Sequence, residues 1–433
     1  MPSDSRHAEA RRPLAGLFAF VRRHKLSTLL IVFALVGSAT AGLLSVGSWP
    51  MHVLMQGTRG ATDIKVDSHG NLHVVFATGQ LYYATDARGG WSVSLVDPVH
   101  EVWDAALAID RQDNIHVVYS AVVREDERAS LQAVRYVALD GAPPVSEVVD
   151  AHGSYPAIAV DSAGVVHVTY SVLGTYDSEL LHAKRIAGSW INETAVPASA
   201  DSAIYSAVAV DSKGVVHATY TRSPQRVGYA TNEGGVWTAG WLIQDGISNT
   251  RVPIAVDNQD RVHIAYSGCS DGCDPARIVH SVRALGSWTR EVVATRGVTG
   301  DLYSFLDLAV DSAGVPHILF NDREAGTLSY LARVGDVSHL SIVDRANDEI
   351  GGSVATGPGG RIAIAFSHSD YGDIRSGTSV RVATYGVDGR NFLDFLWGIL
   401  PVLLVEGGLF LIAGYLVRRR SRLTGRKVGT TRS

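Results

Sequence analysis

The chain has 433 residues, 46% of them apolar and 19% charged, so it is long enough to bury a large core and is neither disordered nor collagen-like in composition. Two cysteines are too few for a disulfide scaffold. A formal charge of −5, without a basic stripe in the middle of the chain, argues against a nucleic-acid partner.

In chain order, residues 1–25 form a basic segment carrying Arg6, Arg11, Arg12, Arg22, Arg23 and Lys25. The apolar stretch 26–46 that follows is long enough to cross a hydrocarbon core of about 30 Å as a helix. A second such stretch, 395–417, closes a segment expected to span the membrane over 391–417. It precedes a basic tail, 418–433, with Arg418, Arg419, Arg420, Arg422, Arg426, Lys427 and Arg432. The positive-inside rule places both termini in the cytoplasm and residues 47–390 outside it, with the lipid bilayer as a partner. The alternative for 26–46 is a cleaved signal peptide, since "ATA" at 39–41 resembles a cleavage site. Setting aside the thirteen basic and four acidic residues of the flanks leaves the middle at a net charge of about −14.

Between the apolar stretches one unit recurs: "KVDSHGNLHVVF", "AIDRQDNIHVVY", "AVDSAGVVHVTY", "AVDSKGVVHATY", "AVDNQDRVHIAY" and "AVDSAGVPHILF". An apolar strand ends in Asp, a turn follows, and a second strand carries a His and then an aromatic residue. Most copies continue with a third strand such as "VGYAT" at 227 and a fourth that opens Gly-x-Trp, as in "GSWTREVV" at 286. Four short strands per unit, repeated every 43 to 54 residues, predict an all-β propeller. A seventh copy, "SVATGPGGRIAIAFS", has Gly357 and Ala363 in place of Asp and His and lacks a fourth strand, while "GSWPMHVLM" at 47 has the Gly-x-Trp opening without a repeat before it. The expectation is a seven-bladed β-propeller with a transmembrane helix at each end, residues 47–56 completing the last blade and removing a free sheet edge.

The unit resembles the repeats of sialidase-like (BNR-type) propeller proteins, in their membrane-anchored bacterial and archaeal form, over roughly residues 47–390. The resemblance implies the fold. It carries no catalytic residue, because the sialidase arginine triad and Tyr/Glu pair do not map onto named positions here, and the Asp-box is only partly echoed.

The recurring pairs Asp67 and His73, Asp110 and His116, Asp161 and His167, Asp211 and His217, Asp257 and His263, and Asp311 and His317 are spread around the ring, so they are read as structural rather than as a metal site. No metal or other cofactor is expected. Tyr119, Tyr170, Tyr220, Tyr266, Phe76, Phe320 and Phe366 are read as core. Cys269 and Cys273 in "CSDGC" are read as a local disulfide, with a two-thiolate metal site as the alternative. Asn192-Glu-Thr matches a glycosylation acceptor.

Candidate ligand residues fall in variable loops expected to point away from the membrane: Trp103, Arg124, Glu125, Asp126, Tyr176, Asp177, Arg222, Asp301, Tyr303, Asp322, Arg323, Asp370, Tyr371 and Arg375. Aromatic platforms beside carboxylates and arginines suit a glycan or protein ligand, and a carboxylate pair about 5 to 9 Å apart would suit glycoside hydrolysis. Glu406 stands in the middle of the second apolar stretch, where it is expected to be protonated or paired, within this chain, by self-association or with a membrane subunit. The functional expectation is a tethered ligand-binding or assembly module on the extracytoplasmic face of a prokaryotic membrane. Its alternative is a carbohydrate-active enzyme, a glycoside hydrolase or a polysaccharide lyase. Whether charged residues of several blades converge on one pocket separates the two.

Overall fold

The computed structural model describes residues 49–58, 60–126, 129–139, 144–173, 178–199, 205–222, 226–243, 251–268, 277–295, 305–322, 325–335, 337–345, 351–369 and 378–385. Among these no helix is long and apolar enough to cross a membrane, and the segments 26–46 and 391–417, with Glu406, lie outside them.

β1 (Met51–Gln56) comes first. A seven-stranded antiparallel sheet follows, made of β2 (Ala61–Val66), β3 (Leu72–Ala77), β4 (Gly79–Thr85), β5 (Ser92–Ile109), β6 (Ile115–Asp126), β7 (Ala129–Leu139) and β8 (Glu147–Asp150). Four-stranded meanders come next: β9 (Gly153–Val160), β10 (Val166–Leu173), β11 (Ser178–Ile186) and β12 (Ser189–Ser199), then β13 (Tyr205–Val210), β14 (Val216–Arg222), β15 (Arg226–Thr231) and β16 (Thr238–Ile243). Two more are β17 (Ile254–Val256), β18 (Val262–Gly268), β19 (Arg277–Ala284) and β20 (Ser287–Thr295), and β21 (Leu306–Val310), β22 (Pro316–Asp322), β23 (Thr327–Val334) and β24 (Val337–Asp344). The last sheet combines β25 (Gly352–Thr356), β26 (Ile362–Ser369) and β27 (Thr378–Tyr385) with β1, in the order β1-β27-β26-β25.

The protein is thus an all-β propeller. Five separate four-stranded blades are seen among the described residues, and the remaining strands form one seven-stranded sheet, so the sheets do not by themselves return the expected count of seven. The reason is β5. Its first half pairs with β4 (Thr85 opposite Ser92, Leu81 opposite Asp97) and its second half with β6 (Ala105 opposite Tyr119, Ile109 opposite Ile115), so one unbroken strand runs through what would otherwise be a blade boundary. The innermost strands neighbour one another around a channel in the order β2, β5, β9, β13, β17, β21, β25 and back to β2.

The turns explain the recurring Asp. In the copy at 211, Asp211 Oδ1 accepts the Lys213 and Val215 amides at 2.9 and 2.8 Å, and its carbonyl accepts the Gly214 amide at 3.1 Å. Gly214 sits at φ +79°, a conformation that glycine adopts without a steric penalty. The seventh copy departs for a packing reason: a Cβ at Gly357 would stand 2.5 Å from Val66 Cγ1 on β2.

Blades are joined by aromatic wedges. The Trp of the Gly-x-Trp strand meets a ring on the third strand of the preceding repeat: Trp190 on Tyr136 and Trp288 on Tyr229, both at 5.3 Å between ring centroids, and Trp49 on Tyr330 at 5.1 Å. Edge contacts of this kind add to the burial of large apolar area between sheets. Trp49 is 6% exposed.

Candidate functional site

The recurring His side chains lie at the turn end of the ring, on the second strand of each of the six repeats that carry the motif, buried except for the half-buried His116. His217 Nδ1 meets the Tyr229 hydroxyl at 2.6 Å and His116 Nδ1 the Tyr136 hydroxyl at 2.7 Å, while Nε2 of His73, His116, His167, His263 and His317 lies 3.2 to 3.4 Å from the turn carboxylates of Asp67, Asp110, Asp161, Asp257 and Asp311. In two sheets a second His takes the Tyr position: His167 against His182 and His263 against His280, each at 3.0 Å. Burial outweighs the carboxylates and lowers the pKa of His116, His167, His217, His263 and His317, and brings His182 and His280 down to about 4.

Asp67, His69 and Asp113 bring three potential ligand atoms within 4.8 Å of one another. The Ser68 hydroxyl and amide both bond Asp113, and the same clasp recurs where Ser212 bonds Asp260, with Lys213 beside that carboxylate in the place of His69. A lysine cannot serve there as a metal ligand while charged, so the recurrence marks a tie between successive turns.

Chemistry gathers instead in the central channel, a cavity of about 930 Å³. Strand alternation turns every second residue of an inner strand toward it. Six residues before the turn position stand Ala61, Asp104, Tyr155, Tyr205, Arg251, Phe305 and Gly351; four before it, Asp63, Ala106, Ala157, Ala207, Pro253, Asp307 and Ser353. Two before it every copy has Ala except the first, which has Lys65.

The outer level, at the end opposite the turns, holds four polar side chains from four different strands or their approaches. Arg251 Nη2 donates to Asp104 Oδ2 at 2.9 Å. The rings of Tyr155 and Tyr205 are 4.6 Å apart. Burial, with the Tyr155 hydroxyl as a further cause, pushes the Tyr205 hydroxyl up to about 12. Arg251 is walled in yet keeps a third of its side chain open to the channel; burial works against its charge, and the carboxylates of Asp104, Asp63 and Asp307 outweigh it.

Two strand irregularities aim this level. Tyr155 has φ +55°, unfavourable for a residue with a Cβ by about 1–3 kcal/mol; it sits at a register shift between β9 and β10 and is held by its amide donating to Ser120 Oγ at 3.2 Å. A matching shift between Val102 and Asp104 turns out Trp103, which is 60% exposed and lines the cavity. Bulges next to functional sites re-aim side chains in this way.

One level deeper, Asp63 accepts from Lys65 Nζ at 2.6 Å, from the Leu107 amide at 2.8 Å and from Ser353 Oγ at 2.9 Å. Asp307 accepts from the Val354 amide at 2.8 Å. Burial is the main cause that raises the Asp307 pKa; the charge of Asp63 adds to it, against Lys65 and the hydrogen bonds from Val354 and Ser353.

Of the loop residues expected to bind a ligand, the structure brings Trp103 to this cavity. Asp322 is buried and accepts the Ala325 amide at 3.0 Å, which fixes its own turn. Arg124 and Arg222 lie in β6 and β14 with side chains outside the described set, together with those of Glu125 and Asp126. Tyr176, Asp177, Asp301, Tyr303, Arg323, Asp370, Tyr371 and Arg375, and Cys269 and Cys273, also lie outside the described residues. Sequence reasoning missed Asp63, Lys65, Asp104, Tyr155, Tyr205, Arg251 and Asp307. The signal was present in the alignment of the repeats, as departures from small residues at alternate inner-strand positions.

No known family matches the sequence, and no curated protein does. Solved structures do share the fold. A PL25 ulvan lyase, bound to a -[GlcA(1-4)Rha3S]- unit, is 13% identical with a TM-score of 0.53, covering 76% of this chain and 94% of its own. The polysaccharide lyase Uly1 is 11% identical over 76% and 90%, with a TM-score of 0.48. An intramolecular trans-sialidase from leech is 9% identical over 77% and 68%, with a TM-score of 0.49. The expectation of a ligand-binding or assembly module is therefore corrected. The fold is one that a solved polysaccharide lyase also has, and charged and phenolic side chains from several inner strands or their approaches converge in one cavity.

Proposed function

We propose that this protein is a carbohydrate-active enzyme that cleaves a glycan in its central channel. The observation that carries the reading is the convergence of Asp104, Tyr155, Tyr205 and Arg251, each from a different repeat, at one end of the cavity. Arg251 supplies a fixed cation for an acidic sugar, the tyrosine pair supplies hydroxyls to the sugar oxygens, and Trp103 offers a face on which a ring can stack. Acidic polysaccharides are the first substrates to test, because the ulvan lyase that shares the fold was solved with a glucuronate-containing unit.

The finer architecture belongs to the same reading. The seven-stranded sheet counts as two blades joined through β5, which makes seven blades. The segments 26–46 and 391–417 tether the propeller to the outer side of a prokaryotic cytoplasmic membrane, supported by their length, apolarity and basic flanks.

The test is incubation of the full chain with a panel of acidic polysaccharides, counting newly formed chain ends. Arg251→Ala and Tyr205→Phe are expected to lower kcat/KM by about 10²- to 10³-fold with unchanged melting. Failure of the wild type to cleave any member of the panel would overturn the reading.

A further inference from the structure

We infer that Asp307 and Asp63 act as a proton-donating and proton-accepting pair for hydrolysis of the glycosidic bond, with Asp307 the donor. The inference rests on the enzyme reading above and assigns its reaction.

It begins with the repeat. Four residues before the turn, β5, β9 and β13 present Ala106, Ala157 and Ala207 to the channel, and Pro253 precedes β17. The three polar residues at this level, Asp307, Ser353 and Asp63, come from β21, β25 and β2, which are consecutive around the ring. The channel therefore has a methyl-lined side and a polar side, a division that suits a sugar ring with its carbon face on one wall and its hydroxyls on the other.

The strand between the two carboxyls holds both. Ser353 Oγ donates to Asp63 Oδ1, and the next residue, Val354, donates its amide to Asp307 Oδ2. Neighbouring groups nevertheless treat the two differently. Asp63 has an ion-pair partner in Lys65 at 2.6 Å and a further amide from Leu107. Among the described residues Asp307 forms no ion pair, and it faces Asp63 as well as Lys65 and Arg251. Burial beside another carboxylate favours its protonated form. Two carboxyls in different surroundings are the usual means of running acid and base chemistry together near neutral pH.

In the reaction Asp307 gives its proton to the glycosidic oxygen as the bond from that oxygen to the anomeric carbon breaks. Water adds to the same carbon and gives its proton to Asp63. The products are two saturated sugars, and the carboxyls return to their starting states by proton exchange with solvent.

The experiment uses the full chain with glycans cleaved by the wild type, and with aryl glycosides of the same sugar whose leaving group needs no protonation. Asp307→Asn is expected to lose about 10²- to 10⁴-fold on the glycan, to keep most activity on the aryl glycoside, and to lose the alkaline limb of the pH profile. Asp307→Glu should recover part of the loss, and Asp63→Asn should lower both substrates, with melting curves checking the fold of each variant. Equal losses on both substrates for Asp307→Asn, or activity surviving both Asn substitutions, would overturn the inference. So would unsaturated sugar ends, which mark elimination; any of these leaves the enzyme reading standing. A wild type that cleaves nothing overturns both.

Discussion

The two ends of the inner strands follow opposite rules. At the turn end the chain repeats itself: Asp holds the turn, His lies behind it, and a Tyr or second His completes the stack. At the far end it repeats almost nothing, and Asp104, Tyr155, Tyr205, Arg251 and Phe305 occupy equivalent positions. A ring of similar blades needs the same bonds at every turn, whereas a reaction centre needs different groups around one point. Recurrence therefore reports on stability here, and departure from it marks the proposed site.

Substitutions that weaken blade packing test one side of this contrast. The largest effect is expected for Trp49→Ala, which removes a buried indole from the contact with Tyr330 and should lower unfolding free energy by about 3–5 kcal/mol in denaturant melts. Activity per folded molecule should not change; a selective loss of activity with normal stability would break the division. Asp211→Ala should follow with a loss of about 1–2 kcal/mol, because two turn amides lose their acceptor.

Acid provides the gentlest probe. His182 and His280 are buried as neutral rings with pKa values of about 4 against an ordinary value of 6.5. The unfolded chain takes up protons first as pH falls, so their stabilising effect is complete above about pH 6.5 and declines from there toward pH 4. Melting temperatures measured across that window should slope downward with acid, and replacing both residues with Gln should reduce the slope. An unchanged slope would show that the two histidine pairs do not set the acid response.

This division also explains what the sequence disclosed. The propeller was legible because Asp, Gly, His and the Gly-x-Trp opening recur in register, each with a local physical reason that periodicity exposes. β5 was not, because no single position announces that a strand will run on from Ser92 to Ile109 through Pro98. The channel residues were hidden for a different reason. Attention to loops favoured long, charged segments, while the site stands on rigid inner strands at positions where an isolated Asp or Tyr looks like ordinary strand variation. Tyr155 was least accessible of all, since its orientation depends on a backbone angle and on Ser120 from the neighbouring sheet.

The pairing of β1 with β27, Met51 opposite Ala383 and Gln56 opposite Ser379, has a consequence for how the protein is made. β1 is the first strand of the domain to leave the ribosome, and its partner is the last. A chain that stops short of β27 leaves β1 without the partner it has in the last sheet. Contacts between such distant segments are slow to form. Closure thus couples the two ends of the domain, and a truncation at either end opens the last sheet.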